Sequence, residues 1–322
     1  MPGGWDDFNK LEPLVAEHVA FIRARQISKG FSFDQKFLLE GEGGARYLLR
    51  ITGTPTPNDI QRKREEYETL HSLQTYSILV PRTYAFGISP DRSLCFMILS
   101  FCVGMDGEEA LGTMNEEEQY GLGIRAGIEL RNLHAMPAPA SRQAWYDAYS
   151  AKLYEKIRRF SKTGIELPGI DRSQLTSLVE RRLPCICNVS QTFLHDDFHP
   201  ANLIVQNGGL AGIIDFNRHD WGDPVHDFVK LAYFSRTVSI PFCSGQITGY
   251  HGGTPPPAFW KRYFLYCAAT IIPDILWSYW YEETSGKGGQ IEQSERRIRM
   301  VVSDHDDFKR EIPSWFRDYS LR

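Results

Sequence analysis

The 322-residue chain predicts an α+β fold of two lobes, a small antiparallel sheet first and then a larger helical lobe with one inserted hairpin. Three observations carry this. Before Leu99 the apolar residues come in short runs separated by glycine and proline turns, as strands do. After Gly107 the chain turns helical, opening with Asn115 and Glu118 at capping-box spacing. Within that helical part, Leu203-Ile204-Val205 and Ala211-Gly212-Ile213-Ile214 flank Asn207-Gly208-Gly209, and Asn-Gly is a strong hairpin turn. The expected boundaries are 1–99 for the first lobe, 100–107 for a hinge linker and 108–322 for the second lobe.

Taken in order, Leu11, Val15, Val19 and Ile22 recur at helical spacing and predict a leading helix over 8–22. Lys29-Gly30-Phe31-Ser32-Phe33-Asp34 is a loop holding a single glycine. Phe37-Leu38-Leu39 and Tyr47-Leu48-Leu49-Arg50-Ile51 read as a hairpin around Gly41-Glu42-Gly43-Gly44. A helix is expected over 59–75, with Pro57 and Asp59 near a start that tolerates a missing N–H and a negative charge. Tyr84–Phe86 and Leu94–Leu99 complete a sheet of about five strands. The next helix runs from Asn115 to about His134, and Pro137 ends it. Its internal Gly121 and Gly127 each cost about 1 kcal/mol relative to alanine, which points to close approach of a neighbouring helix. Further helices are expected at 142–160, 172–183, 260–272 and 292–302.

Composition narrows the class. Hydrophobic residues make up 42% of the chain, enough to bury a core. A formal charge of −4 argues against a general nucleic-acid binder. No apolar run approaches the roughly 20 residues of a membrane span, and the first residues lack the pattern of a secretion signal. Six cysteines, with Cys185 and Cys187 the only close pair, suit thiols in a reducing compartment better than a zinc site. A cytoplasmic protein is the expectation.

The chemistry concentrates on the second hairpin. Asp197 and Asn202 precede its first strand, and Asp215 ends its second. Antiparallel strands lie under about 5 Å apart, so the turn-back is expected to bring 202–203 near 214–215. Asn202 and Asp215 can hold magnesium, a hard cation that prefers oxygen ligands. Asp197 can accept a hydrogen bond from a hydroxyl and orient it. Singly, Asp or Asn at a turn is more often a turn former.

The stretch 195–227 resembles the aminoglycoside phosphotransferase family. Its His-Gly-Asp-x-His-x-x-Asn loop is matched by His195-Asp196-Asp197-Phe198-His199-Pro200-Ala201-Asn202, with Asp196 in place of the usual glycine. Its metal segment is matched by Ile214-Asp215-Phe216, followed by Trp221-Gly222-Asp223-Pro224 and Asp227. The resemblance implies a protein-kinase-like fold and an ATP-dependent small-molecule kinase. In it Asp197, Asn202 and Asp215 are catalytic, and Asn202 and Asp215 bind Mg2+. It also implies that Arg50 reaches the nucleotide phosphates, held by Glu66 (or Glu65 or Glu68), and that Ser32 touches phosphate. Leu99 and Phe101 would border the purine, and nothing separates ATP from GTP. Asp223 and Asp227 would brace the loop.

Only seven residues separate Asp215 from Asp223, which favours a small hydroxylated acceptor over a peptide. Trp260, Trp277, Tyr279, Trp280 and Tyr281, with Glu282, Glu283, Asp304, Asp306 and Asp307, would suit a cationic or sugar-bearing one. The same residues also suit a helical core with a solvated edge. Alternatives are a kinase for choline, a sugar or an amino alcohol, and a kinase-like binding protein without turnover.

Overall fold

A computed structural model describes residues 4–28 and 34–320. Residues 29–33, and with them the expected phosphate contact of Ser32, lie outside the described residues. The chain divides into two compact units. One is Met1–Met105 with Leu203–Gln206 and Ala211–Asn217; the other is Asp106–Asn202 with Asn207–Leu210 and Arg218–Arg322.

The first unit contains α1 (Gly4–Ala16), β1 (Arg23–Ile27), β2 (Gln35–Glu40), β3 (Arg46–Gly53), α2 (Pro57–Leu73), β4 (Thr83–Ile88) and β5 (Leu94–Ser100). Its antiparallel sheet runs β1-β2-β3-β5-β4. The leading helix stops at Ala16 rather than Ile22. Ile22 is 74% exposed, and its N–H donates to Glu40 O at 2.8 Å as the chain becomes extended beside the sheet. Phe8, Leu11 and Val15 of α1 pack on Phe37, Leu39, Leu49, Ile51, Phe96 and Ile98, which share one face of the sheet. Strand alternation therefore sends Arg50 to the opposite face, where Glu66 of α2 meets it. Helix α2 is fixed at its start by Pro57 and by a capping box between Thr56 and Asp59.

The second hairpin forms as expected. Strand β6 (Met105–Asp106) lies beside β8 (Leu203–Gln206), which pairs with β9 (Gly209–Ile213). Asn207 and Gly208 both take positive φ (52° and 73°), the conformation that a two-residue hairpin turn requires. Ile213 N–H donates to Leu79 O at 2.9 Å, which ties β9 into the first unit.

The second unit is mainly helical: α3 (Gly107–Leu111), α4 (Glu116–Leu133), α5 (Trp145–Ser161), α6 (Arg172–Arg182), α7 (Arg236–Val238), α8 (Ile240–His251), α9 (Pro257–Ser285), α10 (Gln290–Asp304) and α11 (Ser314–Ser320). Two short strands, β7 (Thr192–Leu194) and β10 (Asp220–Gly222), pair antiparallel on either side of the hairpin in sequence. A single π turn, Leu231–Ser235, precedes α7. Asn115 and Glu118 form the capping box expected at the start of α4. No helix among the described residues is long and apolar enough to cross a membrane.

Helices α4 and α8 approach backbone to backbone. A Cβ on Gly127 would lie 2.1 Å from Gln246 O, and one on Gly123 2.2 Å from Phe242 O. The approach is reciprocal, since Cβ atoms on Gly245 and Gly249 would strike Tyr120 O and Ile124 O at 2.2 and 2.1 Å. Gly121, by contrast, faces open space, so the close approach expected of it belongs to Gly123 instead.

Candidate functional site

In the first unit, Arg50 is buried between two carboxylates. Its Nη1 donates to Glu66, and its Nε and Nη2 donate to Asp34 Oδ2 at 3.1 and 2.6 Å. Thr52 Oγ1 donates to Asp34 Oδ1 at 2.7 Å, and Lys63 pairs with Asp34 as well. Of the three candidate glutamates, Glu66 is thus the one that holds Arg50. Burial pushes the Asp34 pKa up, but Arg50 and Lys63 more than offset this and hold it at about 2. Arg50 is likewise disfavoured by burial and more strongly favoured by Glu66 and Asp34, so its pKa is raised. The cavity beside this cluster measures about 10 Å3, room for about one water and too small for a phosphate.

Asp34 had no role in the sequence reading. The strand register carries the missing signal: Lys36 pairs with Arg50 and Gln35 with Ile51, so the residue before β2 falls beside Thr52. In the remaining nucleotide candidates, Leu99 is buried in β5, opposite Leu48 and Thr83. Phe101 is half-buried, and its amide is taken by Arg46 O at 3.1 Å.

In the second unit, the loop 195–202 is held from beneath by Asp227. This buried carboxylate accepts from the N–H of His195 (2.9 Å) and of Asp196 (2.6 Å), and pairs with His134 Nε2 at 2.9 Å. Asp223 accepts from Val225 N–H (3.1 Å), Arg262 Nη1 (2.8 Å) and Tyr266 OH (2.8 Å), fixing the turn that carries Asp227. Asp196 takes a left-handed backbone (φ 57°), the conformation for which glycine is the usual choice. Its carboxylate lies 3.0 Å from His226 Nδ1 and so points to that imidazole.

Asp197 faces Lys230, whose Nζ is 2.9 Å from Oδ1. Burial raises the Asp197 pKa, but Lys230 and His199 more than compensate and hold it at about 2. Asp197 N–H reaches His195 Nδ1 at 3.3 Å. Asn202 Nδ2 donates to the Asp197 carbonyl at 2.9 Å and to its Oδ2 at 3.3 Å, which leaves Asn202 Oδ1 as the amide's oxygen donor. Lys230 was missed in the sequence because a lysine three residues past Asp227 carries no motif; only the fold brings it to Asp197.

Asp215 follows β9 in the first unit, also with positive φ (67°), and accepts from Asn217 Nδ2 at 2.6 Å. Asn202 Oδ1 and the Asp215 carboxylate are hard oxygen donors and fit magnesium chemically. Among the described residues no cluster of three or more His, Cys, Asp or Glu side chains forms a metal site.

Of the aromatic and acidic residues near the C-terminus, Trp260 is core and Asp304 pairs with Arg236. Asp306 and Asp307 sit on a turn, paired with Arg310 and Lys309. Trp277, Tyr279 and Trp280 remain exposed, with Trp277 stacked on Tyr281.

No curated protein sequence matches the chain. Solved structures do share its fold. A streptomycin–ATP–APH(2")-IIa ternary complex is 17% identical, covers 91% of this chain and 97% of its own, and superposes with a TM-score of 0.62. A GDP complex of wild-type aminoglycoside 2'-phosphotransferase-IIIa is 15% identical over 92% and 98%, with a TM-score of 0.62. A choline/ethanolamine kinase family protein from Mesorhizobium loti is 16% identical over 97% and 99%, with a TM-score of 0.68. These likenesses establish the kinase-like fold, a small antiparallel sheet with a helical region. The model of the phosphotransferase enzyme family matches residues 23–260, well over half of the chain, and the protein belongs to that family.

Proposed function

We propose that the protein is a small-molecule kinase that transfers the terminal phosphate of ATP or GTP to an alcohol. Asp197 orients the acceptor hydroxyl, Asn202 and Asp215 hold Mg2+, and Arg50, steadied by Glu66, faces the nucleotide. The single observation that carries this reading is Asp197: a half-buried carboxylate kept ionised by Lys230, on a loop that Asp227 and Asn202 fix at three backbone points. Such a group accepts a hydrogen bond from a hydroxyl at any pH near neutrality.

In the reaction the hydroxyl oxygen forms a bond to the terminal phosphorus, and the bond from that phosphorus to the bridging oxygen breaks. The electron pair leaves with the nucleoside diphosphate, and the hydroxyl proton passes to Asp197. A carboxylate with a pKa of about 2 is a weak base. It takes the proton late, once bond formation has made the hydroxyl acidic. The metal, when bound, neutralises charge on the transferring phosphate. Ser32, Leu99 and Phe101 are proposed nucleotide neighbours on the family resemblance. The nucleotides named in the neighbouring structures support ATP or GTP as donor.

The test is release of nucleoside diphosphate by the purified protein with Mg2+, ATP or GTP and a broad panel of alcohols. Turnover is expected to fall by about 10²–10⁴-fold in Asp197→Asn, while nucleotide still binds; in Asp215→Ala, magnesium-dependent nucleotide binding itself is expected to fail. Nucleotide binding that ignores magnesium, with no alcohol phosphorylated, would overturn the assignment.

A further inference from the structure

We infer that the acceptor carries an anionic group, a carboxylate or a phosphate, and that Arg296 and Arg297 bind it in a cavity of the second unit beside the Asp197 loop. This rests on the kinase reading and specifies the acceptor it leaves open. It reverses the sign expected from the aromatic and acidic residues near the C-terminus.

The cavity measures about 380 Å3, at the small end of the range for small-molecule sites. Two guanidiniums, Arg296 and Arg297, line it against the single carboxylate of Glu108, with Thr237 and Gln293 adding neutral hydrogen-bonding groups. Phe234 forms the wall shared with the catalytic loop. Its ring stacks on His199 at 5.3 Å between centroids, and its own centroid lies 5.2 Å from Lys230 Nζ and 5.5 Å from the Arg297 guanidinium carbon. Since Lys230 also touches Asp197, Arg297 and the hydroxyl-orienting carboxylate are linked through contacts to a single ring. Phe234 sits in the π turn Leu231–Ser235, an irregularity that is frequent at functional sites.

The arginines differ in a way that suits recognition. Arg297 is fixed: Asp274 accepts two bonds from its Nη2, at 2.9 and 3.1 Å, and Ser294 Oγ donates to the same carboxylate at 2.5 Å. Asp274 engages Nη2 alone, and Arg297 Nε is buried with no hydrogen-bond partner among the described residues. Arg296 is exposed and pairs with Glu292 at 2.7 Å, itself exposed. Such a surface pair contributes little and yields readily to a ligand. One anchored and one adaptable guanidinium match the forked geometry of a carboxylate or phosphate.

The test is calorimetric titration of the full chain with glycerate and malate for the carboxylate, glycerol 3-phosphate for the phosphate, glycerol as neutral control and ethanolamine as cationic control. Magnesium–nucleotide binding is measured on the same samples. Binding of at least one anionic probe is expected, weakened about tenfold by Arg296→Gln and by Arg297→Gln, with glycerol and ethanolamine silent. Which anion binds separates carboxylate from phosphate. If Arg297→Gln fails to fold because Asp274 is left unpaired, Arg296→Gln, whose partner is exposed, decides alone. Failure of every anion to bind, binding unchanged in the variants, or equal binding of ethanolamine overturns the inference. If that happens while magnesium–nucleotide binding persists, the kinase reading stands; loss of nucleotide binding with anion binding intact sinks the kinase reading instead.

Discussion

Arg50 sits in an unusually complete ionic setting for a residue proposed to face phosphate. Two buried carboxylates and Lys63 make with it a neutral group of four charges, so removing one member leaves a net charge away from water. Breaking such a pair costs about 3–5 kcal/mol, and Asp34→Asn should lower stability by that order in denaturant unfolding. Loss of less than about 0.5 kcal/mol, the range of ordinary surface changes, would mean the cluster is solvated. Asp196 poses the opposite question, because its side chain gains a partner while its backbone is strained. Burial lowers the His226 pKa, but the Asp196 carboxylate outweighs it and raises the value above the ordinary 6.5. The pairing therefore stabilises the loop fully below about pH 6.5, the unfolded value, and is lost as pH rises through the folded one. Asp196→Gly should move the His226 titration to lower pH, read from its ring protons by NMR. Well above the folded pKa, where only backbone strain is left, the glycine variant should be more stable by about 1 kcal/mol, and that advantage should shrink as pH falls.

Helix α4 makes the same kind of argument from packing. Its glycines weaken it as an isolated helix, yet Gly123 and Gly127 admit the α8 backbone at a distance no Cβ allows. Gly127→Ala should cost about 1–3 kcal/mol through overpacking, whereas Gly121→Ala, facing open space, should gain up to about 1 kcal/mol from helix propensity. Thermal melts of the two variants should therefore shift in opposite directions, and a shared direction would dissolve the distinction. From sequence, a glycine inside α4 could be read as a packing mark, but which glycine faces the neighbour depends on helix rotation. Elements with a strong local signature were legible: the Asn-Gly hairpin, the Asn115 cap, and the apolar strands β2, β3 and β5. Strand β1 was not, because Arg23-Ala24-Arg25-Gln26-Ile27 buries little at the sheet edge and so shows no apolar run. The loop 195–202 was legible for the reverse reason, since its groups lie within eight residues of sequence. Asp34 and Lys230 reach their partners only through strand register and a helical turn remote from the motif.

Across the molecule, each unit carries a carboxylate that neighbouring cations hold at a pKa of about 2, Asp34 in the first and Asp197 in the second. Both are opposed by burial and won over by cations, Arg50 and Lys63 in one case, Lys230 and His199 in the other. Each folded carboxylate binds its proton less tightly than it does in the unfolded chain, where the ordinary value is 3.8. Protonation therefore favours the unfolded chain. The stabilisation is complete above about pH 4 and is lost as pH falls through about 2, by about 2 kcal/mol for each group. Denaturant unfolding across this range should show a steep acid loss that flattens in part in Asp34→Asn and in part in Asp197→Asn. The two decrements should add to within about 0.5 kcal/mol, because different cations hold the two carboxylates, Arg50 and Lys63 for Asp34, Lys230 and His199 for Asp197. The same ionisation bears on turnover. With its proton lost near pH 2, Asp197 should impose no acid limb on kcat/KM above about pH 4, whereas Lys230→Met, by removing the nearest cation, should raise the Asp197 pKa and draw an acid limb up toward neutrality. A wild-type acid limb near pH 6 that is unmoved by Lys230→Met would show that another group, and not Asp197, governs the proton of the reacting hydroxyl.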